Sequence, residues 1–187
     1  ALTDLLGGTG FSGQPASNDP TIAGVSLLPG GVPTGLPAQI EVQRLASAQT
    51  MESAMLTSKT SEVGLGTLTL TKGGTNYTID ITAGNNTLEG LAAAVNATGS
   101  GVSASVVTDN RGARLVMKGP TGETNGFSIT AGTADANLQR FATSGAPGAM
   151  VQKTAALDSI IYIDGIEMRN NTNTVDTAIP YVLIDLN

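Results

Sequence analysis

This sequence predicts an α+β fold that is mainly β: antiparallel β-rich domains with one amphipathic helix in an inserted subdomain. Three observations lead there. Short runs alternate apolar and polar side chains, the period of a strand with one face buried. Turn formers separate those runs at hairpin spacing, and only one stretch carries apolar residues at helical intervals.

Residues 1 to 37 are crossed by Gly7-Gly8, Asp19-Pro20, Pro29-Gly30-Gly31, Pro33 and Pro37, which interrupt helices and long strands, so loops with short strands are expected. Ile40-Glu41-Val42-Gln43-Arg44-Leu45 alternates as a strand should and runs into the helix-tolerant Ala46 to Met55. Leu68 and Leu70 then alternate with Thr67, Thr69 and Thr71, and Lys72-Gly73-Gly74-Thr75 turns the chain toward Tyr77, Ile79 and Ile81. This is a hairpin. Asn86 or Thr87 can cap a helix whose Leu88, Leu91 and Val95 share one face, with Gly99-Ser100-Gly101 as its stop. A second hairpin follows, with Val102, Ala104 and Val106 on one face, a turn at Asp109-Asn110-Arg111-Gly112, and a return through Arg114 to Met117. Phe127 to Thr130 adds a strand. Ala131 to Gly148 reads as a connection out of the subdomain with a short helix around Leu138 and Phe141. Asp164-Gly165 joins Ile160 to Ile163 with Ile166 to Met168 as a two-residue turn, and Tyr181 to Leu186 forms a last strand. Strand material on both sides of one compact unit divides the chain into a discontinuous β-rich domain, 1 to 61 plus 148 to 187, and an inserted hairpin, helix and hairpin subdomain, 62 to 147.

Composition narrows the function. Apolar residues make up 40%, aromatics 3%, and Trp is absent, so Leu, Ile, Val, Ala and Met must supply the core. With neither His nor Cys, imidazole acid–base catalysis, thiol nucleophiles, disulfides and the usual zinc or copper sites are excluded. A net charge of −6 and scattered Lys and Arg argue against nucleic acid as a partner. No apolar run is long enough to span a bilayer, and the opening Ala1-Leu2-Thr3-Asp4 has no signal pattern; the chain reads as a soluble segment of a longer protein, with no membrane partner expected.

The motifs offer no chemistry. Gly8-Thr9-Gly10-Phe11-Ser12-Gly13 fits the dinucleotide pattern, but Gln14-Pro15 follows where a helix should start. Asp158, Asp164, Glu167 and Asp176 are the densest acids, yet a glycosidase pair also needs aromatic sugar platforms that six Phe and Tyr scarcely provide. Neither Asp109-Asn110 nor Asp164-Gly165 continues into calcium-loop spacing. The Asn-x-Thr triplets at Asn76, Asn85 and Asn96 are expected by chance in a chain rich in Asn and Thr. No catalytic, cofactor or metal residue is therefore assigned, and no enzyme is expected.

A resemblance adds more. Gly66 to Leu70, Tyr77 to Ile81, Asn86 to Asn96, Gly101 to Val107 and Arg114 to Met117 strongly resemble the flagellin and hook-associated IN motif, whose name-giving Ile-Asn pair stands here as Val95-Asn96. The flanks Ile40 to Gln49, Ile163 to Ile166, and Asn173 to Pro180 before Val182 to Leu186 look like those surrounding the motif in the bacterial flagellar filament cap family, hook-associated protein 2. The likeness runs from about Gly35 to Leu186. It implies the β-rich middle of a head whose helical, coiled-coil legs lie outside this segment. It also implies a structural role in flagellin insertion and polymerisation, extracellular at the distal tip of the filament. Expected partners are flagellin, other copies in a ring, and hook-associated junction proteins, the segment alone being monomeric. Host mucin or glycan adhesion, or a related hook-associated role, is the alternative.

Overall fold

The computed structural model describes residues 14–33 and 37–187. In chain order the strands are β1 (Ala23–Leu27), β2 (Ile40–Arg44), β3 (Ala48–Glu52), β4 (Gly66–Lys72) and β5 (Thr75–Ile81). Helix α1 (Leu88–Asn96) follows, then β6 (Ser103–Asp109), β7 (Gly112–Thr121), a 3-10 turn (Glu123–Asn125) and β8 (Phe127–Ala131). The short helix α2 (Ala136–Gln139) precedes β9 (Val151–Thr154), β10 (Ser159–Ile163), β11 (Ile166–Asn170), β12 (Thr174–Ile179) and β13 (Val182–Leu186). Every strand pairing is antiparallel, in keeping with the mainly β, α+β class read from sequence.

The chain divides into two compact units, Ala1–Ser47 with Leu157–Asn187, and Ala48–Ala156. The second is wider at both ends than the expected 62 to 147. The cause is strand pairing: β3 and β9, assigned from sequence to the outer domain, join β7 in a four-stranded sheet ordered β6-β7-β3-β9.

In the second unit that sheet accompanies a three-stranded one, β5-β4-β8. Gly73 and Gly74 at φ 58° and 79° make the two-residue turn between β4 and β5 whose twist suits flanking strands. Leu68 then lies opposite Ile79, and Leu70 opposite Tyr77 and Ile129. Helix α1 starts because the Thr87 hydroxyl accepts the Gly90 N–H at 3.1 Å, satisfying one otherwise unpaired donor. Its Leu88, Leu91, Ala92 and Val95 are buried, and each large apolar side chain so buried contributes about 1.5–3 kcal/mol. The core they enter also holds Val63, Leu115, Met117, Leu138 and Phe141. The stretch from Ala131 to Gly148, expected from sequence as an exit, also supplies core residues: the Asp135 carboxylate caps α2 and takes the Leu65 N–H at 2.9 Å, and Leu138 and Phe141 are buried.

Among the described residues the first unit forms two three-stranded sheets, β1-β13-β12 and β11-β10-β2. Ile40, Ile161, Val175, Val182, Ile184 and Leu186 fill its core with Ala23. β10 is central and buried from Ser159 to Ile161, and the Ser159 hydroxyl spans the Asn170 and Thr172 carbonyls at 3.1 and 2.9 Å. β9 and β12 had no clear signal in the sequence.

Candidate functional site

The four acids of the densest sequence cluster do not converge. Asp164 sits in the β10–β11 turn, where its carboxylate accepts the Gln39 N–H at 2.9 Å. Glu167, opposite Tyr162, accepts from Arg169 at 2.7 Å and from the Tyr162 hydroxyl at 3.0 Å. Those donors, Arg169 foremost, lower the Glu167 pKa, and the same carboxylate raises that of Tyr162. Asp176 lies on β12 in the other sheet, and Asp158 precedes β10, its carbonyl taking the Arg44 Nε at 3.0 Å. Among the described residues no three carboxylates, His or Cys gather as a metal site. Asp109 is held by the Arg111 side chain at 2.6 Å and its backbone at 2.8 Å, which lowers its pKa and closes the turn on itself. The dinucleotide-like run at Gly8 to Gly13 lies outside the described residues. A depression of about 310 Å³ beside β8 is lined by Thr130, Ala131, Gln139, Ala142, Ser144, Gly145 and Ala146, without an ionisable group to drive acid–base chemistry.

What the polar side chains do build is backbone-like pairing. Asn96, at the end of α1, donates to the Ala104 carbonyl at 2.9 Å and accepts the Ala104 N–H at 2.8 Å. Its amide therefore occupies the edge of β6 as a neighbouring strand would, while the preceding Val95 is fully buried. The Val95-Asn96 pair carries structure, one residue filling the core and the other locking helix to sheet. Gln49 does the same across the two sheets of the second unit, donating to the Phe127 carbonyl at 2.9 Å and accepting its N–H at 2.8 Å. Asn173 clamps Ala46 at 3.0 and 2.7 Å in the first unit. Sequence reasoning named Gln49 and Asn173 only as members of flanks that carry the resemblance and gave neither a role. Nothing local marks Gln49, since the stretch from Ala46 to Met55 has helix-tolerant composition.

The electrostatic features are equally structural. Glu52 on β3 joins Arg114 of β7 at 3.0 Å and Lys153 of β9 at 2.8 Å, stitching three strands; its pKa is lowered, chiefly by Lys153. Charge is divided unevenly along the chain. The first unit contains eight Asp and Glu against two Arg, a net −6, whereas the second has seven acids and seven bases and is neutral. Exposed apolar side chains such as Leu65, Val107, Val151, Ile166 and Tyr181 are spread over different strands and turns, which is ordinary for a folded surface. Among the described residues no helix is long and apolar enough to cross a membrane.

The family model for the flagellin hook IN motif matches residues 67–121, the stretch from β4 through β7. The B-type flagellar hook-associated protein 2 of Pseudomonas aeruginosa is 29% identical over 164 residues, covering 79% of this chain and 35% of that protein. Flagellar hook-associated protein 2 of Escherichia coli K12 is 32% identical over 147 residues, 73% of this chain and 31% of the relative. The chain thus spans about a third of the length of the curated relatives it matches. Among solved structures, the D2-D3 domains of the flagellar cap protein FliD from Escherichia coli superpose with a TM-score of 0.77 at 27% identity, over 89% of both chains. FliD (HAP2) from Pseudomonas aeruginosa gives 0.73 at 25% identity over 89% of this chain and 78% of that one.

Proposed function

Since this chain belongs to the flagellar cap, or hook-associated protein 2, family, we propose that it is head material of a filament cap, standing extracellularly at the distal tip and promoting flagellin insertion beneath it. One observation carries this reading: the likeness to cap-protein head domains runs over 89% of both chains, so both units are matched and not the IN motif alone. Physical chemistry supports it. A cap acts by shape, which asks for rigid parts. Side-chain amides and a hydroxyl that pair with backbone on neighbouring elements, at Gln49, Asn96, Asn173 and Thr143, supply that rigidity within each unit, since buried backbone groups resist losing a partner. Flagellin, further copies of the chain and hook-associated junction proteins are its partners in this reading.

The test is genetic. A full-length parent carrying this segment, expressed in a cap-deficient strain, should restore filaments. Secretion of the parent with continued release of unpolymerised flagellin would overturn the reading. Mucin adhesion is separable in the same material: a glycan-binding head keeps that activity as an isolated segment, whereas capping requires the helical legs.

A further inference from the structure

Asn125-Gly126 is the one Asn-Gly pair in the sequence, and the fold places it in the 3-10 turn that leads directly into β8. We propose that Asn125 is a site of spontaneous deamidation whose rate is set by opening of this turn, with Gln49 as the pin that keeps it shut. The reaction needs only water and hydroxide. Hydroxide removes the Gly126 amide proton, the nitrogen attacks Asn125 Cγ, and Nδ2 leaves as ammonia. The resulting succinimide is opened by water at either carbonyl, giving Asp or its β-linked isomer. Glycine after Asn favours the attack because no Cβ shields the nucleophilic nitrogen.

In the folded chain three hydrogen bonds oppose that attack. The Gly126 N–H donates to the Glu123 carbonyl at 3.2 Å. The leaving group, Asn125 Nδ2, donates to the Thr121 carbonyl at 2.7 Å. One residue further on, the Phe127 N–H is held on Gln49 Oε1 at 2.8 Å in a buried position. Gly126 cannot rotate toward Asn125 Cγ while both its own N–H and its successor's are fixed. Local opening comes first, and its equilibrium sets the rate.

The two products differ in consequence. Asp at this position loses the donor to Thr121 but retains Lys72, whose Nζ lies 3.5 Å from Asn125 Oδ1. The β-linked isomer inserts the Cβ methylene of residue 125 into the main chain just before Gly126, which shifts the following Phe127 off the Gln49 clamp. Deamidation is thus a chemical ageing mark placed at the seam between the two sheets of the second unit.

The experiment incubates the 187-residue chain in mildly alkaline buffer, folded and in urea, and follows the amide-to-acid mass gain in the tryptic peptide Gly119 to Arg140. That peptide also contains Asn137, and fragment sequencing separates the two. In urea Asn125 should react before every other Asn. Folding should slow it at least about tenfold, and Gln49→Met should recover most of the speed lost on folding. Equal rates folded and in urea, another Asn reacting first in urea, or a folded Gln49→Met chain with unchanged rate would each overturn the proposal. Hydrogen exchange on the unmodified chain gives a second reading if Gln49→Met does not fold. The Gly126 amide should be protected by a factor similar to the folded-to-urea ratio, and an unprotected Gly126 amide would overturn the gate.

Discussion

Replacing Gln49 by Met tests the clamp that joins the two sheets of the second unit. Gln49 and Phe127 are each 6% exposed, so water cannot readily take over the Phe127 N–H and carbonyl when the side-chain amide is removed. A buried backbone group left without a partner costs about 1–3 kcal/mol. Two such groups, less the relief of no longer burying a polar amide, lower stability by about 2–4 kcal/mol. Met preserves length and approximate volume, which keeps a cavity from contributing. With a urea slope of about 1.5 kcal/mol/M, the unfolding midpoint of the second unit should fall by about 2 M. Far-UV circular dichroism suits a chain without Trp, and amide resonances near Phe127 assign the transition to this unit. Gln49→Glu sharpens the test. A carboxylate keeps the acceptor for the N–H but lacks the donor for the carbonyl, while the protonated acid has both. Burial raises the folded pKa of the introduced carboxyl above its unfolded value of about 4.3. The variant should therefore approach unmodified stability below the unfolded pKa and lose it as pH rises through the folded pKa, each point being compared with the parent chain at the same pH. A Gln49→Met unfolding free energy within about 0.5 kcal/mol of the parent's at neutral pH, or a Gln49→Glu difference that does not change with pH, would refute the reasoning.

Leu91 is 1% exposed at the centre of the α1 stripe, so Leu91→Asp should remove cooperative folding of the second unit, an unpaired buried carboxylate costing several kcal/mol. Dispersed amide shifts surviving the change would contradict the helix-on-sheet core. The Glu52 pKa is lowered from 4.5 by Lys153 and Arg114, so its contribution is present above about pH 4.5 and fades as pH falls through the lower folded value. In an acid titration Glu52→Gln should flatten that part of the stability curve, and an unchanged profile would show the triad to be inert. Sedimentation equilibrium at micromolar concentration should find a monomer, because the −6 charge is concentrated in the first unit and like surfaces repel; added salt should weaken that repulsion. A single closed oligomer persisting at low salt would assign ring formation to these units rather than to the legs. Thermal midpoints should not respond to nucleotides or calcium, and a saturable rise with either would reveal a native-state site.

Amino-acid sequence by itself determined the elements whose causes are local. Gly73-Gly74 and Asp164-Gly165 tolerate positive φ and turned their hairpins where expected; Thr87 and the Leu88, Leu91, Val95 spacing placed α1 and its buried face. Absent His and Cys excluded whole classes of chemistry before any fold was known. The tertiary structure alone decided what distant strands do. Ala46 to Met55 has helix-tolerant composition, yet Ala48–Glu52 is strand β3 because β7 and β9 flank it, and strand preference follows such neighbours more than the residues themselves. β9, fully exposed and without alternation, offered nothing to read, and with it went the strand pairing that extends the second unit. The clamps show the same limit at single residues. Gln49 meets the backbone of a residue 78 positions away, and Asn173 one 127 positions away. A side-chain amide has the same donors and acceptor wherever it occurs, and only the folded chain brings a free backbone edge within its reach.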